Sequence, residues 1–480
     1  MVRQIFLFFL CLFLTAPCLA RTITVDDDGP ADFKNIQAAI DDANDGDKVI
    51  VADGTYTGIG NYNIRFKGKA ITVVSTNGAE HCIINCQGLT RRLPSCGFIF
   101  TEGEDANSIL DGFTITNGKS DIGSRRCGGI RCLKSSPTIT NCTIRDSLSA
   151  LGGAILCEFY SSPTITKCVI ISNSGGQGGG GICCTAWSSP TIVNCTICSN
   201  SAKRGGGIYC DISSLPKIIN CNISANRAYE TGGGLHCHTK SSPIITNCII
   251  SSNFAQESGG GLYCQNNSSP QITNSSICDN ESYESGGGGI LCWDSIPKLT
   301  NSILWGNMRG DNSSSEISVI SSSPVITYCD IKGGWKGEGN IDADPLFVMN
   351  GPDAIKGTVI EVATRVKSSP QKEILEDSLA LFTEGQLVGE LISVLFEKED
   401  YKDQRCAIIT ANTTTIIETL SAQGGLVGDD KGNKYRIIDY YLQPDSPCIG
   451  AGTAKGAPST DIQGRNRKSK PDIGAYETGS

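Results

Sequence analysis

The chain has 480 residues, a formal net charge of −9 at pH 7, 56 glycines and an aromatic content of 6%. A net negative charge disfavours nucleic acid and anionic lipid as bulk electrostatic partners. Beyond the first sixty residues the sequence has no long apolar pattern with a 3.6-residue period. The glycine content therefore favours a β-rich fold with many tight turns.

Residues 1–20 are predicted to be a secretory signal peptide. Arg3 precedes an apolar core over residues 5–14, and the small Ala20 stands at a suitable cleavage point. That core is too short to span a bilayer, and no later stretch is apolar enough to do so. We therefore expect a secreted or extracellular protein, either released or held at the cell surface, with no transmembrane segment.

Residues 32–43 are predicted to form an amphipathic helix. Phe33, Ile36 and Ile40 lie on one side of it, and Asp32 stands where an N-cap is expected. An apolar face on so short a helix needs a partner to cover it. We expect the helix to plug the open end of the repeats that follow.

From about residue 127 to residue 331 the sequence repeats every 26 or 27 residues. Such a fixed period is typical of stacked units. Each repeat usually has a glycine run, a Ser-Ser-Pro triplet and an Asn-Cys pair, and glycine and proline disfavour a helix. We predict three strands per coil, with these apolar columns in a common core: Ile130, Ile155, Ile182, Ile208, Leu235, Leu262 and Ile290; Ile139, Ile165, Ile192, Ile218, Ile245, Ile272, Leu299 and Ile326; Ile144, Ile170, Ile197, Ile223, Ile250, Ile277, Leu304 and Ile331.

Two columns of asparagine follow the same period. The bend column, between the second and third strands, is predicted to form a stacked amide ladder that satisfies turn groups between coils: Asn141, Asn194, Asn220, Asn247, Asn274 and Asn301. The loop column, after the third strand, is predicted to be a second ladder: Asn173, Asn200, Asn226, Asn253, Asn280 and Asn307.

Cysteines form two further columns, one in the first strand and one in the third: Cys132, Cys157, Cys184, Cys210, Cys237, Cys264 and Cys292; Cys142, Cys168, Cys195, Cys221, Cys248 and Cys329. Stacked coils bring their Cα atoms within disulfide range, but parallel side chains strain the required torsion. Buried thiols and partial disulfide pairing are both open at this point. Cys195 and Cys198 form a lone Cys-x-x-Cys pair within one strand, which disfavours zinc and redox chemistry.

The regular pattern stops after Gly334. Residues 346–440, with short β-type runs between 353 and 436, are predicted to form a small inserted β-domain. Residues 441–480 form a further, different segment. The sequence gives no function for the insertion.

The Asp-Phe-Lys-Asn-Ile-Gln-Ala-Ala-Ile segment at residues 32–40, the Gly-Asp-x-Val strand after it and the coils together resemble the pectin lyase-like right-handed parallel β-helix superfamily. The resemblance covers roughly residues 22–345, and it implies an all-β, single-stranded β-helix over residues 21–345 with an N-terminal capping helix and a small C-terminal β-domain. The pieces at 446–452, 461–465 and 472–477 resemble the choice-of-anchor region of bacterial surface proteins. The sequence lacks the Gln-Asp-Thr and Asp-Phe-Ile-Phe-Gly motifs of the esterases, the Asn-Thr-Asp and Arg-Ile-Lys motifs of polygalacturonases and the Asp-Pro-His motif of alginate epimerases, so no catalytic residue is carried over.

The resemblance implies that polysaccharide binds beside the first strand, in a groove walled by the loops between the third and first strands. Outward positions of that strand carry aromatic, acidic, amide and imidazole side chains, which suit sugar rings and hydroxyls. The predicted ligand-binding residues are Glu158, Tyr209, His236, Tyr263, Gln265 and Trp293. Asp211 and His238, on adjacent coils, are the predicted catalytic pair.

Three glutamates repeat in the loops before the glycine runs, namely Glu230, Glu257 and Glu284. Like charges one coil apart repel one another unless a cation joins them, so this column is a candidate Ca²⁺ site. The alternative, which involves no bound ion, is that the glutamates are solvated loop side chains.

Three functions are consistent with these features. The favoured prediction is a surface-associated or secreted β-helix that binds a polysaccharide or cell-surface glycan along the first strand. The enzymatic alternative is a polysaccharide lyase or glycoside hydrolase whose glycan includes uronates. The third is a non-enzymatic adhesin or structural surface protein. Nothing in the sequence sets the oligomeric state.

Overall fold

In a computed structural model, the chain winds into a parallel β-helix with four parallel sheets. The structure describes residues 20–87, 95–120, 128–284, 286–347 and 440–478, and the backbone of the strands between 356 and 438. Of the predicted signal peptide, only Ala20 is among these residues.

Three of the sheets contain the three strands predicted for each coil. The first-strand sheet has ten strands: Ile64–Arg65, Phe98–Phe100, Ile130–Leu133, Ile155–Glu158, Ile182–Thr185, Ile208–Cys210, Leu235–Cys237, Leu262–Gln265, Ile290–Trp293 and Ile317–Ile320. The second-strand sheet has twelve: Thr22–Val25, Lys48–Val51, Thr72–Ser75, Ile109–Asp111, Thr138–Thr140, Thr164–Thr166, Thr191–Val193, Lys217–Ile219, Ile244–Thr246, Gln271–Thr273, Lys298–Thr300 and Val325–Thr327. The third-strand sheet has eleven: Gly54–Tyr56, Cys82–Asn85, Thr114–Thr116, Thr143–Arg145, Val169–Ile171, Thr196–Cys198, Asn222–Ser224, Ile249–Ser251, Ser276–Cys278, Ile303–Trp305 and Asp330–Ile331.

The predicted apolar columns lie directly over one another. Ile192 pairs with Ile218, and Ile218 with Ile245, in neighbouring parallel strands. Ile208 pairs with Leu235 in the same way. All belong to one continuous buried cluster that extends through the coils. Burial of each such side chain stabilises the fold by about 1.5–3 kcal/mol, so the columns form the main core.

A fourth sheet, which the sequence did not predict, follows the third strand in the regular coils: Leu148–Leu151, Ser174–Gly178, Ser201–Arg204, Arg227–Thr231, Phe254–Ala255, Glu281–Ser282 and Met308–Arg309. These residues were expected to be loops. The chain turns sharply between the fourth strand and the first strand that follows it. The turn contains a glycine with positive φ, such as Gly205 (φ 61°) or Gly232 (φ 70°). A Cβ atom at Gly205 would lie 2.4 Å from the carbonyl oxygen of Ile208, so only glycine fits this turn.

The N-terminal helix is present but shorter than expected, and its predicted cap is wrong. The helix covers Ile36–Asp42, and the side chain of Asn35 accepts the cap hydrogen bond from the Ala38 N–H. Asp32 instead accepts hydrogen bonds from the backbone N–H and hydroxyl of Thr24, both at 2.8 Å. Phe33 lies before the helix and forms an isolated parallel bridge with Val25. Ile36 and Ile40 are buried against the first coil, as a plug requires.

The cysteines of the two predicted columns are all buried, and none of them forms a disulfide with another described residue. In these columns the structure therefore has buried thiols rather than the disulfide pairs that the sequence left open. Burial raises the pKa of Cys292 and of Cys329 to about 12. These thiols stay neutral at ordinary pH and pack as small apolar side chains.

The two asparagine columns differ. Residues of the bend column have a left-handed backbone, as at Asn220 (φ 52°), and Lys167 occupies the same position in another coil with the same φ. The loop column is the continuous buried ladder. In it, Asn226 donates from Nδ2 to the carbonyl oxygen of Ile197 at 2.8 Å and to Oδ1 of Asn253 at 3.0 Å.

The region after the coils contains an antiparallel sheet of seven strands, which agrees with the predicted β-type insertion: Lys356–Thr358, Glu361–Val366, Gln371–Glu376, Leu391–Lys398, Tyr401–Asn412, Ile416–Ser421 and Lys434–Ile438. Residues 440–478 return to the β-helix and cover the outer face of the third-strand sheet. There Tyr440, Ile473 and Tyr476 pack in one apolar cluster with Cys278 and Ile303.

Among the described residues, the structure contains no helix with the length and apolar character required to cross a membrane.

Candidate functional site

The predicted ligand site lies on the outer face of the first-strand sheet, where alternate residues project in two files. The covered file consists of Tyr209, His236 and Tyr263, which are paired in register from coil to coil. The open file is the next outward position of the same coils and consists of Asp211, His238, Gln265 and Trp293.

The covered file points away from the main core, as predicted, but it is not open to solvent. Tyr209, His236 and Tyr263 are 8%, 0% and 5% exposed. The fourth sheet lies over them: Thr231 Oγ1 is 2.9 Å from His236 Nδ1, and a Cβ atom at Gly178 would lie 2.8 Å from the Tyr209 ring. The expectation that these three side chains line an open groove is therefore wrong.

Asp211 and His238, predicted to lie on adjacent coils, are in contact. His238 Nδ1 is 2.9 Å from Asp211 Oδ1, and the two side chains are 25% and 20% exposed. Burial acts to raise the pKa of Asp211, but the hydrogen bonds from His238 and the Ile212 N–H outweigh it, so the pKa lies below the usual value. Asp211 is thus ionised at neutral pH, and it accepts a further hydrogen bond from the Tyr209 hydroxyl at 3.3 Å.

The contacts of His238 lie on both sides of its ring. An ionised Asp211 can only accept, so Nδ1 of His238 donates to it. Nε2 lies 3.0 Å from Nδ2 of Asn266. The site is a hydrogen-bonded row across three coils, from Asp211 through His238 to Asn266.

His236 supports this row from below. Its ring lies between Tyr209 and Tyr263, with centroid distances of 5.3 and 4.9 Å. Burial lowers the pKa of His236 to about 3, so the ring is neutral at ordinary pH. Gln265 Nε2 lies 3.3 Å from His236 Nε2, which links the covered file to the open file.

Glu158 does not join the row, because Arg131 on the preceding coil holds it. Arg131 Nε donates to Glu158 Oε1 at 2.9 Å, and a second nitrogen of the guanidinium contacts the same oxygen. Glu158 is 2% exposed, so the expectation that it faces an open groove is also wrong. A buried ion pair of this kind is satisfied internally.

Gln265 and Trp293 extend the open file beyond His238. The two residues pair in register on neighbouring coils, Gln265 is half-buried, and Trp293 is 49% exposed. The open file therefore presents a carboxylate, an imidazole, an amide and an indole on four successive coils.

In the column of Glu230, Glu257 and Glu284, one member already pairs with basic side chains. Glu230 contacts Lys203 at 2.9 Å and Arg204 at 2.8 Å. Burial and the charges of Glu230 and Glu284 raise the pKa of Glu257. In the described part of the chain, acidic oxygens converge within 4.8 Å of one another only at Asp26, Asp27 and Asp28, not at the glutamates. The Ca²⁺ site at Glu230, Glu257 and Glu284 stays a prediction.

A family model described as the right-handed β-helix region matches residues 32–197, 128–304 and 206–339. These overlapping matches cover more than half of the chain. The chain belongs to the right-handed β-helix family. No curated protein matches it.

Among solved structures, this β-helix protein is similar to pectate lyase Pel9A, with a TM-score of 0.52 and 17% identity over 96% of each chain. XylC in complex with xylose has a TM-score of 0.37 and 10% identity over 96% of this chain and 98% of that one. The receptor-binding protein of bacteriophage Det7, a tailspike, has a TM-score of 0.27 and 10% identity over 92% of each chain. The first likeness shows the shared fold, and the other two are too distant to add to it.

Sequence reasoning missed Asn266 in this β-helix protein. Asn266 lies in the turn after the first strand, whereas the predicted site residues were taken from the outward positions of the strand. Its left-handed φ of 55° turns its side chain towards the preceding coil. Asn266 belongs to the pair of residues that precedes each Ser-Ser-Pro triplet, and that position is the feature of the sequence by which it could have been found.

Proposed function

We propose that this β-helix protein binds a polysaccharide along the open file of the first-strand sheet. One observation carries the proposal: four successive coils present Asp211, His238, Gln265 and Trp293 in a continuous line of polar groups that ends at an exposed ring. With coils roughly 4.8 Å apart, the line extends over about 15 Å, enough for several sugar units.

The chemistry of the file suits a carbohydrate. Sugar hydroxyls need both donors and acceptors, and a carboxylate, an imidazole and an amide supply them in a row. The exposed face of Trp293 can stack on the apolar face of a pyranose ring. The covered file beneath fixes the row in place, so little side-chain entropy is lost on binding.

The fold comparison supports the same ligand class. Pel9A, whose fold this chain shares, is a pectate lyase, and pectate is a polysaccharide. The signal peptide predicted for residues 1–20 supports a location outside the cell, where such polymers occur. We take the partner to be a polysaccharide or a cell-surface glycan.

The Asp211–His238 pair favours an enzymatic alternative, a polysaccharide lyase or glycoside hydrolase. A carboxylate hydrogen-bonded to one ring nitrogen of a histidine is an arrangement found in general bases. Asn266 occupies Nε2 of that histidine, so substrate would have to displace the amide before His238 could take a proton. This obstacle makes binding the better-supported function.

The test measures binding and product together on a panel of neutral and uronate-containing glycans. Binding is followed by titration calorimetry, and product by reducing ends and by the ultraviolet absorbance of unsaturated ends. We expect binding without product, weakened by Gln265→Ala and Trp293→Ala. Gln271→Ala is the matched control, because Gln271 is exposed on the second-strand sheet.

Product that disappears in Asp211→Ala and His238→Ala would replace binding by catalysis as the function. If no glycan binds, the proposal fails and a structural or adhesive role takes its place.

A further inference from the structure

Two exposed aromatic rings stack on the turns between the first and second strands. Tyr160 and Trp187 occupy neighbouring coils, with ring centroids 5.2 Å apart and ring planes 9° from parallel. They are 64% and 48% exposed. The pair, here called the aromatic platform, lies outside the open file and was not singled out by the sequence.

The backbone under the platform is one that bulky residues rarely adopt. Tyr160 and Trp187 have φ values of 65° and 63°, in the left-handed region. The same turn position in later coils carries Lys240 and Asn267, both with φ of 61°. Asparagine and glycine suit this region better than a large ring does. Because the rings are also largely exposed, burial in the core does not account for them.

The turns hold the rings in a fixed arrangement. The Tyr160 N–H donates to the carbonyl oxygen of Ala186 at 3.0 Å, and the Trp187 N–H donates to that of Ile212 at 2.9 Å. Ser161 Oγ donates to the carbonyl oxygen of Glu158 at 2.8 Å. A platform that is ordered before the ligand arrives loses little entropy on binding.

The two turns that carry the rings are themselves uncharged, and the same turn position on the preceding coil carries the exposed Lys134. Residues 159–163 and 186–190 contain no charged side chain. The next coil has only the small Ser213 at the platform position, so no further ring covers the second face of Trp187. The site offers flat apolar surface with the exposed Ser162 in the same turn, which suits a sugar ring whose faces consist of C–H groups.

We propose that the aromatic platform is a second carbohydrate-binding site that holds a neutral glycan of gluco- or xylo-configured pyranoses. In such sugars the ring hydroxyls are equatorial, so both faces expose C–H groups to an aromatic ring. The site is independent of Asp211 and His238, and this inference goes beyond the proposed function of the open file.

The experiment titrates the full chain with cellohexaose and with xylohexaose by calorimetry. The test variant is Tyr160→Asn combined with Trp187→Asn, which copies the residue that the chain itself uses at Asn267. We expect affinity for at least one hexaose to fall about tenfold or more in this variant. We expect its unfolding temperature to stay unchanged or to rise, because asparagine relieves the left-handed backbone.

Two controls isolate the site. Tyr229→Asn removes a tyrosine that is 58% exposed on the fourth sheet, and it should leave affinity unchanged. Gln271→Ala, on the second-strand sheet outside both the platform and the open file, should also leave hexaose affinity unchanged.

Three results would overturn the proposal: no binding of either hexaose by the unaltered protein, equal binding by the double variant, or a platform-dependent preference for charged oligogalacturonate. A lower unfolding temperature with unchanged binding would assign the stacked rings to stability alone.

Discussion

The bend column and the loop column contain the same residue at the same period, yet they do different work. In the bend column the feature shared by all coils is the left-handed backbone: Asn220 has φ of 52°, and Lys167 fills the equivalent place in another coil. In the loop column the side chain is what requires asparagine, because each amide is buried and hydrogen-bonded to the coils on both sides, as at Asn226. A repeated residue type therefore does not reveal whether its backbone or its side chain is needed.

The largest expected effect is in the loop column. Asn226→Ala removes the acceptor of the Asn200 N–H and Nδ2, both at 3.0 Å, and the donor to the Ile197 carbonyl. Leaving buried polar groups unsatisfied costs about 1–3 kcal/mol for each group, so we expect a loss of about 3 kcal/mol or more. Urea unfolding followed by circular dichroism measures it. A loss below about 1 kcal/mol would contradict the ladder's role.

The second prediction concerns Glu316, which ends the loop column. Its Oε2 accepts from the Asn307 N–H at 3.3 Å and also contacts Asn307 Nδ2, and Ser314 donates to Oε1 at 3.1 Å. Burial raises the pKa of Glu316 from about 4.5 to about 7, despite these hydrogen bonds. The carboxyl is therefore protonated more readily in the folded chain than in the unfolded one.

A raised folded pKa means that this contribution to stability is complete below about pH 4.5 and declines as the pH rises through about 7. Glu316→Gln keeps an acceptor but has no charge to bury. We expect the variant to gain on the order of 2 kcal/mol over the unaltered protein at pH 8 and little at pH 4. Unfolding free energies at both pH values test this, and an equal difference at the two would refute it.

A smaller effect is expected where the bend column contacts the C-terminal segment. Asn301 Nδ2 donates to the Thr453 carbonyl at 2.7 Å, and the Thr453 N–H donates to Asn301 Oδ1 at 2.8 Å. Asn301→Gly keeps the left-handed backbone accessible and removes both bonds, at a cost of about 1–2 kcal/mol. Limited proteolysis should cut residues 440–478 faster in the variant. An unchanged cleavage rate would show that apolar packing alone holds the segment.

The smallest effect is expected at Asn220. Asn220→Gly suits the left-handed backbone and loses one contact, to Asn247 Nδ2 at 3.1 Å. We expect stability to change by no more than about 0.5 kcal/mol. Asn220→Ala should cost about 1 kcal/mol, since alanine lacks the tolerance of glycine for positive φ. If both variants cost as much as Asn226→Ala, the two columns are not different in kind.

The sequence predicts the core because the core depends on a simple rule. Isoleucines such as Ile218 and Ile245 recur at the coil period, and parallel pairing stacks them in register. The same period located Asp211 and His238 on adjacent coils, where the structure brings their side chains into contact.

The fourth sheet and the burial of the covered file could not be predicted, because they depend on the backbone conformation of single glycines and turns. The chain turns sharply at Gly205 and Gly232. The segments before these glycines form the fourth sheet over the covered file instead of open loops. That covering buries His236, and the ion pair with Arg131 buries Glu158. A period identifies which residues are equivalent, but not which neighbour will cover them.

The two ends of the loop column are satisfied by different groups. Its first oxygen, on Asn173, accepts from the Ser147 N–H at 3.1 Å, each backbone N–H then donates to the side chain of the next coil, and Glu316 receives the last. Every member between the two ends has identical neighbours. A whole coil inserted or deleted there would leave both ends satisfied, so the length of the protein can change in single-coil steps.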